Sequence, residues 1–452
     1  MTAAATSQQL DVRLRAREQA LTAFLDENGE RLSRAAHDVA RCIDRGGVLH
    51  AHGTGSAAAD AAQVVVELMH PGDGKRALPA LAPSNDPTGA MRRSWSFRPD
   101  DIALSITNGP VDAATSAFLD AAARRGALTI ALVGAGGPAP TADHVLTVDA
   151  SDPHLVQEIH SVAHHVLSAL VLVFLEHPAL LEDACITCGD IALPGRVVAL
   201  TDLGAQVDFD GVCEEVACEL IADVTVGDLL LCHAGVALER LDQAPEDGVT
   251  SPERIDPLLQ RAERDIDAVL RHVRESTAHQ GRDALHLQHA IDVPEIDACA
   301  VAIRERMAAG GRVLTFANGG SATGAQDFAA DLLDQGWTAV ALGSDGAAVT
   351  ALADDGGFDD VFSRPVLALG HSRDVVIALS PQQPPENILR GLAAARDRGM
   401  LTCAIVGREA GLTDRLEWLD HVLVVPSDDV PRVREAQTTM YHLILEAIGS
   451  PA

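Results

Sequence analysis

The sequence predicts an α/β protein made of two duplicated parallel-sheet sandwich domains with a small β-barrel between them. Three observations lead there. The 452-residue chain is about three times the size of a typical single domain. Matching segments recur at a spacing of one whole domain. Between the copies, strand-helix alternation gives way to short period-2 runs.

The recurrence is read directly. Gly46-Gly47-Val48-Leu49 leading to Gly53-Thr54-Gly55-Ser56-Ala57 returns as Gly311-Arg312-Val313-Leu314 leading to Asn318-Gly319-Gly320-Ser321-Ala322. Residues 125–134 return as 398–407, and Asp143-His144-Val145-Leu146 returns as Asp420-His421-Val422-Leu423. Within each copy, β-branched runs (102–106, 375–379) alternate with Ala-rich helical stretches (113–125, 387–398), the pattern of a parallel sheet covered on both faces. Each copy opens with a helical region, 8–44 and 257–309, the second interrupted by the His-rich stretch 277–289.

Between the copies, runs at 197–200, 205–209 and 229–232 are separated by turn signals at Pro194-Gly195, Asp210-Gly211 and Val226-Gly227-Asp228, which predicts a small OB-like β-barrel. The boundaries expected are 1–180 for the first domain, 185–241 for the barrel, 242–256 for a linker and 257–452 for the second domain.

Composition excludes several functions. Acidic residues number 65 against 34 basic ones, a net charge of −31, which repels nucleic-acid phosphates and anionic lipid. Neither nucleic acid nor a membrane is an expected partner. The single lysine, Lys75, argues against Schiff-base and Walker-type chemistry. No apolar run has membrane-spanning length, and Met1 to Leu21 carries alternating charge where a signal peptide needs an apolar core; a cytoplasmic location is expected. Of eight cysteines, five fall between Cys185 and Cys232, which in a reducing compartment suggests thiolate chemistry rather than disulfides.

A strand ending in Gly-x-Gly-Ser and entering an Ala-rich helix aims backbone N–H groups and a hydroxyl at one point, suited to a phosphate oxyanion; a tight turn needing glycine for geometry is the alternative. Over 46–175 and 311–447, both copies resemble the sugar isomerase (SIS) fold, a flavodoxin-like sandwich, and in particular the phosphoheptose isomerase branch. The resemblance is carried by Asn318 to Ala322, Ala351 to Phe358, Val361 to Arg364, and the Gln157-Glu158-Ile159-His160 and His164-His165 stretches. It implies conversion of an aldose phosphate to a ketose phosphate through an enediol, sedoheptulose 7-phosphate being the type substrate, with Glu67 and His165 as acid and base and Gln157 beside them. It implies a phosphate site of Gly55, Ser56, Ser105, Thr107 and Asn108, with Ser321 as its counterpart in the second copy. Some members hold zinc at the positions matched here by Gln63, Glu67, Gln157 and His165, although two amides make a poor zinc site. The stripe 157, 160, 164 and 165 on one helix face also fits a plain helix-helix or subunit contact.

The second copy departs from the pattern. Asp327, Asp331, Arg434 and His442 stand at its matching positions, and its loop Ser380-Pro381-Gln382-Gln383-Pro384-Pro385-Glu386-Asn387 has three prolines and a carboxylate, which remove N–H donors and add like charge. No phosphate is expected there, and the second domain is expected to be inactive. Because family sites form at subunit contacts, the resemblance implies a homo-oligomer or an internal pseudo-dimer.

In the middle segment, Cys185-Ile186-Thr187-Cys188 fits half a zinc site, a redox pair or ligands for a softer metal fragment. Over 185–241 the segment resembles the HypC/HupF hydrogenase-maturation chaperones, through Cys188, Ile191 to Val198, Val207 to Val212, Val226-Gly227-Asp228 and His233 to Ala237. In that family a cysteine binds iron carrying cyanide and carbon monoxide and shuttles it from a HypD-like partner to the hydrogenase large-subunit precursor. The resemblance implies Cys185, Cys188 and His233 as ligands, although the family cysteine follows the initiator methionine and here is internal. The readings in play are an accessory protein of [NiFe]-hydrogenase maturation with phosphosugar-binding outer domains, a phosphoheptose isomerase with a docking insert, and a scaffold without catalysis.

Overall fold

A computed structural model describes residues 3–71, 75–82, 96–176, 290–408 and 416–451, Leu181 and Leu287, and within 193–241 all but 202–203, 210, 219–220, 222–223 and 234–235. The expected linker 242–256 and residues 257–286 of the expected helical region lie outside the described residues. The two copies together form one compact unit, Met1–Leu172 with Glu275–Ala452, and Val173–Arg274 forms another.

The first copy runs α1 (Ala3–Asp44), β1 (Leu49–Gly53), α2 (Ala57–Met69), β2 (Ala80–Leu81), β3 (Ile102–Thr107), α3 (Ala113–Ala123), β4 (Leu128–Gly134), β5 (His144–Val148) and α4 (Pro153–Leu175). Its five strands are all parallel in the order β2-β1-β3-β4-β5, the flavodoxin-like order. Every residue of β3 is buried, as expected of a parallel strand with helices on both faces.

The second copy repeats this topology. After the five strands of the middle unit come α5 (Val293–Ala308), β11 (Val313–Ala317), α6 (Gly320–Asp334), β12 (Ala339–Ala341), α7 (Gly346–Gly356), α8 (Ser363–Leu369), β13 (Val375–Ser380), α9 (Glu386–Asp397), β14 (Leu401–Gly407), β15 (His421–Val425) and α10 (Val430–Ile448). The sheet order is β12-β11-β13-β14-β15.

The repeated sequence is explained by repeated contacts. A Cβ on Gly47 would stand 1.8 Å from the Asp100 carbonyl oxygen, and one on Gly311 would stand 2.2 Å from that of Arg373. Asp101 Oδ1 accepts from Val48 N at 3.0 Å, and Asp374 Oδ1 accepts from Arg312 N at 2.9 Å. Thr129 donates to Asp143, and Thr402 to Asp420, through hydroxyl contacts of 2.7 and 2.8 Å. Helix starts follow capping chemistry: Asp112, Asp292 and Asp429 each accept a backbone N–H of the first turn of α3, α5 and α10. Helix α4 is the one described helix with the length and apolar composition of a membrane span, and most of it is buried in this core.

The middle unit corrects the barrel expectation. Its strands β6 (Leu193–Thr201), β7 (Gly204–Phe209), β8 (Val212–Val216), β9 (Leu229–His233) and β10 (Val236–Leu241) form an antiparallel sheet in the order β10-β9-β6-β7-β8. Among the described residues the two edges approach only at an Ala217–Val236 bridge, so the sheet is a half-barrel rather than a closed OB-like one. Strand β8 exposes Cys213, Glu214 and Glu215, and charge on an edge strand opposes further pairing. Pro194-Gly195, read as a turn, lies inside β6 opposite Leu231 and Leu230. A Cβ at Gly195 would meet Val207 and Phe209 at 2.4 and 2.5 Å, so the glycine serves close packing. The small core gathers Val197, Val207, Val216, Leu230 and Cys232.

Candidate functional site

In a sheet of this order, ligands bind beyond the carboxyl ends of the strands where the winding reverses, between β1 and β3. The chain places the predicted glycine loop there. Gly55 has φ +61°, a left-handed conformation that favours glycine. A Cβ on Gly53 would stand 2.1 Å from the Ala57 carbonyl oxygen. Asn108, just past β3, donates from Nδ2 to Ser56 Oγ at 3.0 Å, and its Oδ1 lies 3.3 Å from His160 Nδ1. Burial first, then His164, holds His160 down to about 3, so it is neutral and orients the Asn108 amide through Nδ1–H.

Beside this loop is a cavity of about 330 Å³. Gly53, Gly55 and Ser56 line one side, and Gln326, Asp327 and Ala330 of α6 line the other. Asp327 is the only ionisable side chain among the lining residues. It is 2% exposed, its Oδ1 has no hydrogen-bond partner among the described residues, and its Oδ2 accepts from Tyr441 OH at 2.6 Å and Gln157 Nε2 at 2.9 Å. Burial raises Asp327; burial and then the Asp327 charge push Asp60 up to about 8.

Of the predicted phosphate residues, Gly55, Ser56 and Asn108 come together. Ser105 and Thr107 do not join them. Ser105 is enclosed within β3, paired in register with His52, and the Thr107 hydroxyl donates to the Gly109 carbonyl at 3.0 Å. A six-residue strand buried on both faces turns alternate side chains into the layers. Ser321 sits at the start of α6, 3% exposed, its hydroxyl without a partner among the described residues. In the second copy, Asn318 and Asn387 exchange two amide hydrogen bonds of 3.0 and 2.9 Å, joining the glycine loop to the proline loop.

The predicted acid-base pair is assembled, in an unexpected setting. His165 Nε2 lies 2.8 Å from Glu67 Oε1, and its Nδ1 lies 2.7 Å from Glu435 Oε1 of the second copy. Ionised carboxylates only accept, so both ring nitrogens carry protons and His165 is an imidazolium. Burial pulls His165 down, but Glu67 and Glu435 outweigh it and raise it to about 9. Burial likewise pushes Glu67 up, and His165 and His164 overcome it, leaving the carboxylate well below its usual range. Arg434 Nη1 lies 3.1 Å from Glu67 Oε1, and Arg432 Nη1 lies 2.8 Å from Glu435 Oε2. The pair is thus a member of a charge network joining the two copies.

Gln157 is not part of it. Its amide donates to Asp327 and, at 3.3 Å, to Asp60 Oδ1. Eight residues along a helix are about 12 Å, so Gln157 meets α2 nearer its N-terminus than Gln63 and Glu67.

Sequence reasoning missed the strongest contacts between elements. Glu158 accepts from Arg17 Nε of α1 at 2.9 Å, from Thr439 Oγ1 at 2.8 Å and from His442 Nδ1 at 2.8 Å, while Arg17 Nη2 also reaches Glu446 at 2.9 Å. Glu158, the one carboxylate on this helix, beside Gln157, is the available signal. His154 and His442 approach Asp331 Oδ2 at 3.7 and 3.6 Å.

Cys185 and Cys188 lie outside the described residues, as does the side chain of His233. Cys232 is buried in the half-barrel, and burial pushes its thiol up to about 12, which makes it a packing residue.

Two repeated parallel sheets with a glycine loop at each switch point define a double SIS-type protein, and the SIS domain family matches residues 279–407. The HupF/HypC family matches residues 191–247, starting three residues after Cys188. A phosphoheptose isomerase of Helicobacter pylori is 40% identical over 144 residues, 30% of this chain and 74% of that protein. One from Geobacter sulfurreducens is 35% identical over 174 residues, covering 37% and 91%. The chain belongs to the phosphoheptose isomerase family, fused to a HupF/HypC-type domain. A solved structure from Silicibacter pomeroyi, described as a candidate phosphosugar isomerase, aligns over 99% of this chain and 97% of its own at TM-score 0.50 and 14% identity, a likeness of fold alone.

Proposed function

We propose that this chain is a cytoplasmic accessory protein of [NiFe]-hydrogenase maturation, in which the HupF/HypC-type domain binds an iron fragment or its donor and the double SIS body binds a sugar phosphate. The observation that carries this reading is the presence of a HupF/HypC segment at 191–247 in one chain with an SIS domain. The partners are a HypD-like maturation protein and the hydrogenase large-subunit precursor. The cargo is iron carrying cyanide and carbon monoxide, held by Cys185 and Cys188 with His233 in support, because thiolates suit a soft low-spin iron. Protein co-expressed with the maturation machinery should show infrared bands of metal-bound cyanide and carbon monoxide that disappear in Cys185→Ala/Cys188→Ala. Absence of those bands, together with failure to capture a HypD-like protein, would reject it.

A second reading is favoured by the cavity and by the 35–40% identity to phosphoheptose isomerases: the body isomerises sedoheptulose 7-phosphate or a similar sugar phosphate. The phosphate then rests on Gly55, Ser56 and the start of α2, with Asn108 orienting Ser56. Asp327, rather than Glu67, faces the bound sugar. Its carboxylate takes the proton from the carbon beside the carbonyl; the C–H electron pair forms the enediol double bond while the carbonyl π pair moves to its oxygen, which takes up the proton of the adjacent hydroxyl; the carbonyl then re-forms on that second oxygen as the carbon-bound proton returns to the former carbonyl carbon. Sugar-phosphate conversion by the purified protein, lost in Asp327→Asn, supports this reading; no conversion by the unmodified protein rejects it.

A further inference from the structure

The residues around Glu67 have the composition of a metal site. Glu67, His164 and His165 present ligand atoms within 4.8 Å of one another, and the family resemblance implies zinc on Gln63, Glu67, Gln157 and His165. These residues do not fit an ion as they stand. Glu67 Oε1 is already approached by Gln63 Nε2 at 2.9 Å, His165 Nε2 at 2.8 Å and Arg434 Nη1 at 3.1 Å. The Gln157 amide is committed to Asp327 and Asp60. A divalent ion bound to Glu67 would sit within a few ångströms of a permanently charged guanidinium.

We infer that the Arg434 guanidinium is the resident cation of this site, seated on Gly320, and that it keeps divalent metal out of the first copy. Two independent contacts support the assignment. One is the charge contact to Glu67. The other is the seat: a Cβ at position 320 would stand 2.7 Å from Arg434 Cζ and 2.8 Å from Nη1, so the guanidinium occupies room that a glycine leaves open at the start of α6. Arg434 is delivered by α10 of the second copy, so the cation reaches the first-copy carboxylate from across the interface. Its charge does not depend on pH or metal supply. The inference holds under either functional reading.

The test uses the full chain, stripped of metal, then equilibrated with zinc ion and dialysed before metal analysis. Other groups, the cysteines included, contribute a background that all variants share. Arg434→Gln is expected to hold about one additional zinc per chain over the unmodified protein, with zinc affinity at this site raised at least ~100-fold, and adding His165→Ala should abolish the gain. Gly320→Ala, which displaces the guanidinium without removing it, should give the same gain in weaker form and provides the test if Arg434→Gln does not fold. Arg434→Lys should still exclude the ion. The inference is overturned if the unmodified protein holds a zinc that His165→Ala alone releases, or if folded Arg434→Gln or Gly320→Ala gains none.

Discussion

Replacing Arg17 by alanine tests whether α1 is fastened to the SIS body by charge. The Arg17 side chain is 3% exposed and bridges Glu158, 4% exposed, and Glu446, 9% exposed. Breaking a buried ion pair by removing one partner costs about 3–5 kcal/mol, because the other charge stays buried. Here Glu158 keeps Thr439 and His442, which places the expected cost near the lower end, about 3 kcal/mol. For a body of about 350 residues, with an unfolding entropy of about 2 cal/mol/K per residue, that corresponds to a fall in Tm of roughly 4 °C. Burial pushes Glu158 up, but Arg17 and His442 hold it down to about 2, below its ordinary 4.5. A depressed carboxylate contributes its stability above the unfolded value and loses it as pH falls through the folded one. The gap between Arg17→Ala and the unmodified protein should therefore be full above pH 4.5 and shrink toward pH 2. Thermal unfolding followed by circular dichroism across that range measures both. A fall in Tm below about 1 °C at neutral pH, which corresponds to under ~1 kcal/mol, would refute the reasoning.

His165 is raised to about 9 from 6.5, so its contribution is present below pH 6.5 and is lost as pH rises through 9; Tm should decline over that interval, and the decline should flatten in His165→Gln. Gly47→Ala and Gly311→Ala each drive a Cβ into a backbone carbonyl, and each should abolish soluble expression or lower Tm by about 5 °C or more; a variant at either position with unchanged Tm would contradict the packing described. Ser56→Ala should weaken sugar-phosphate binding about tenfold, near 1.4 kcal/mol, by loss of one hydroxyl contact, and calorimetry giving equal affinity would move the phosphate elsewhere.

The repeated sheets were legible because their signals are local. Gly46-Gly47 and Gly310-Gly311 each precede a largely buried strand, the strands 102–107 and 375–380 have the mostly apolar, fully buried character of parallel pairing, and the Thr129–Asp143 and Thr402–Asp420 ties repeat with them. The charge network was not legible. Glu158 and His442 are 284 positions apart, and Glu67 and Arg434 are 367 apart; their meeting depends on how α2, α4, α6 and α10 pack, which no local spacing encodes. Gln157 shows the limit of a helical-face argument, since sharing a face with His165 does not mean sharing a partner. In the middle unit, strand periodicity gave the β elements, whereas closure depends on what the edges carry, here Glu214 and Glu215 on β8. Pro194-Gly195 carried a turn signal but serves a packing need inside β6.

Joining both copies in one chain has a consequence for how the body can change. In a homodimer every substitution is forced upon two symmetry-related places at once, so an arginine gained opposite one glutamate is gained opposite both. Here Arg434 faces Glu67, whereas the reciprocal positions hold Gln157 and Asp331. Covalent linkage releases each partner from mirroring the other, and one flank can specialise as brace while the opposite flank is kept for ligand. Such a body should saturate at a single sugar phosphate per polypeptide, with a simple hyperbolic isotherm.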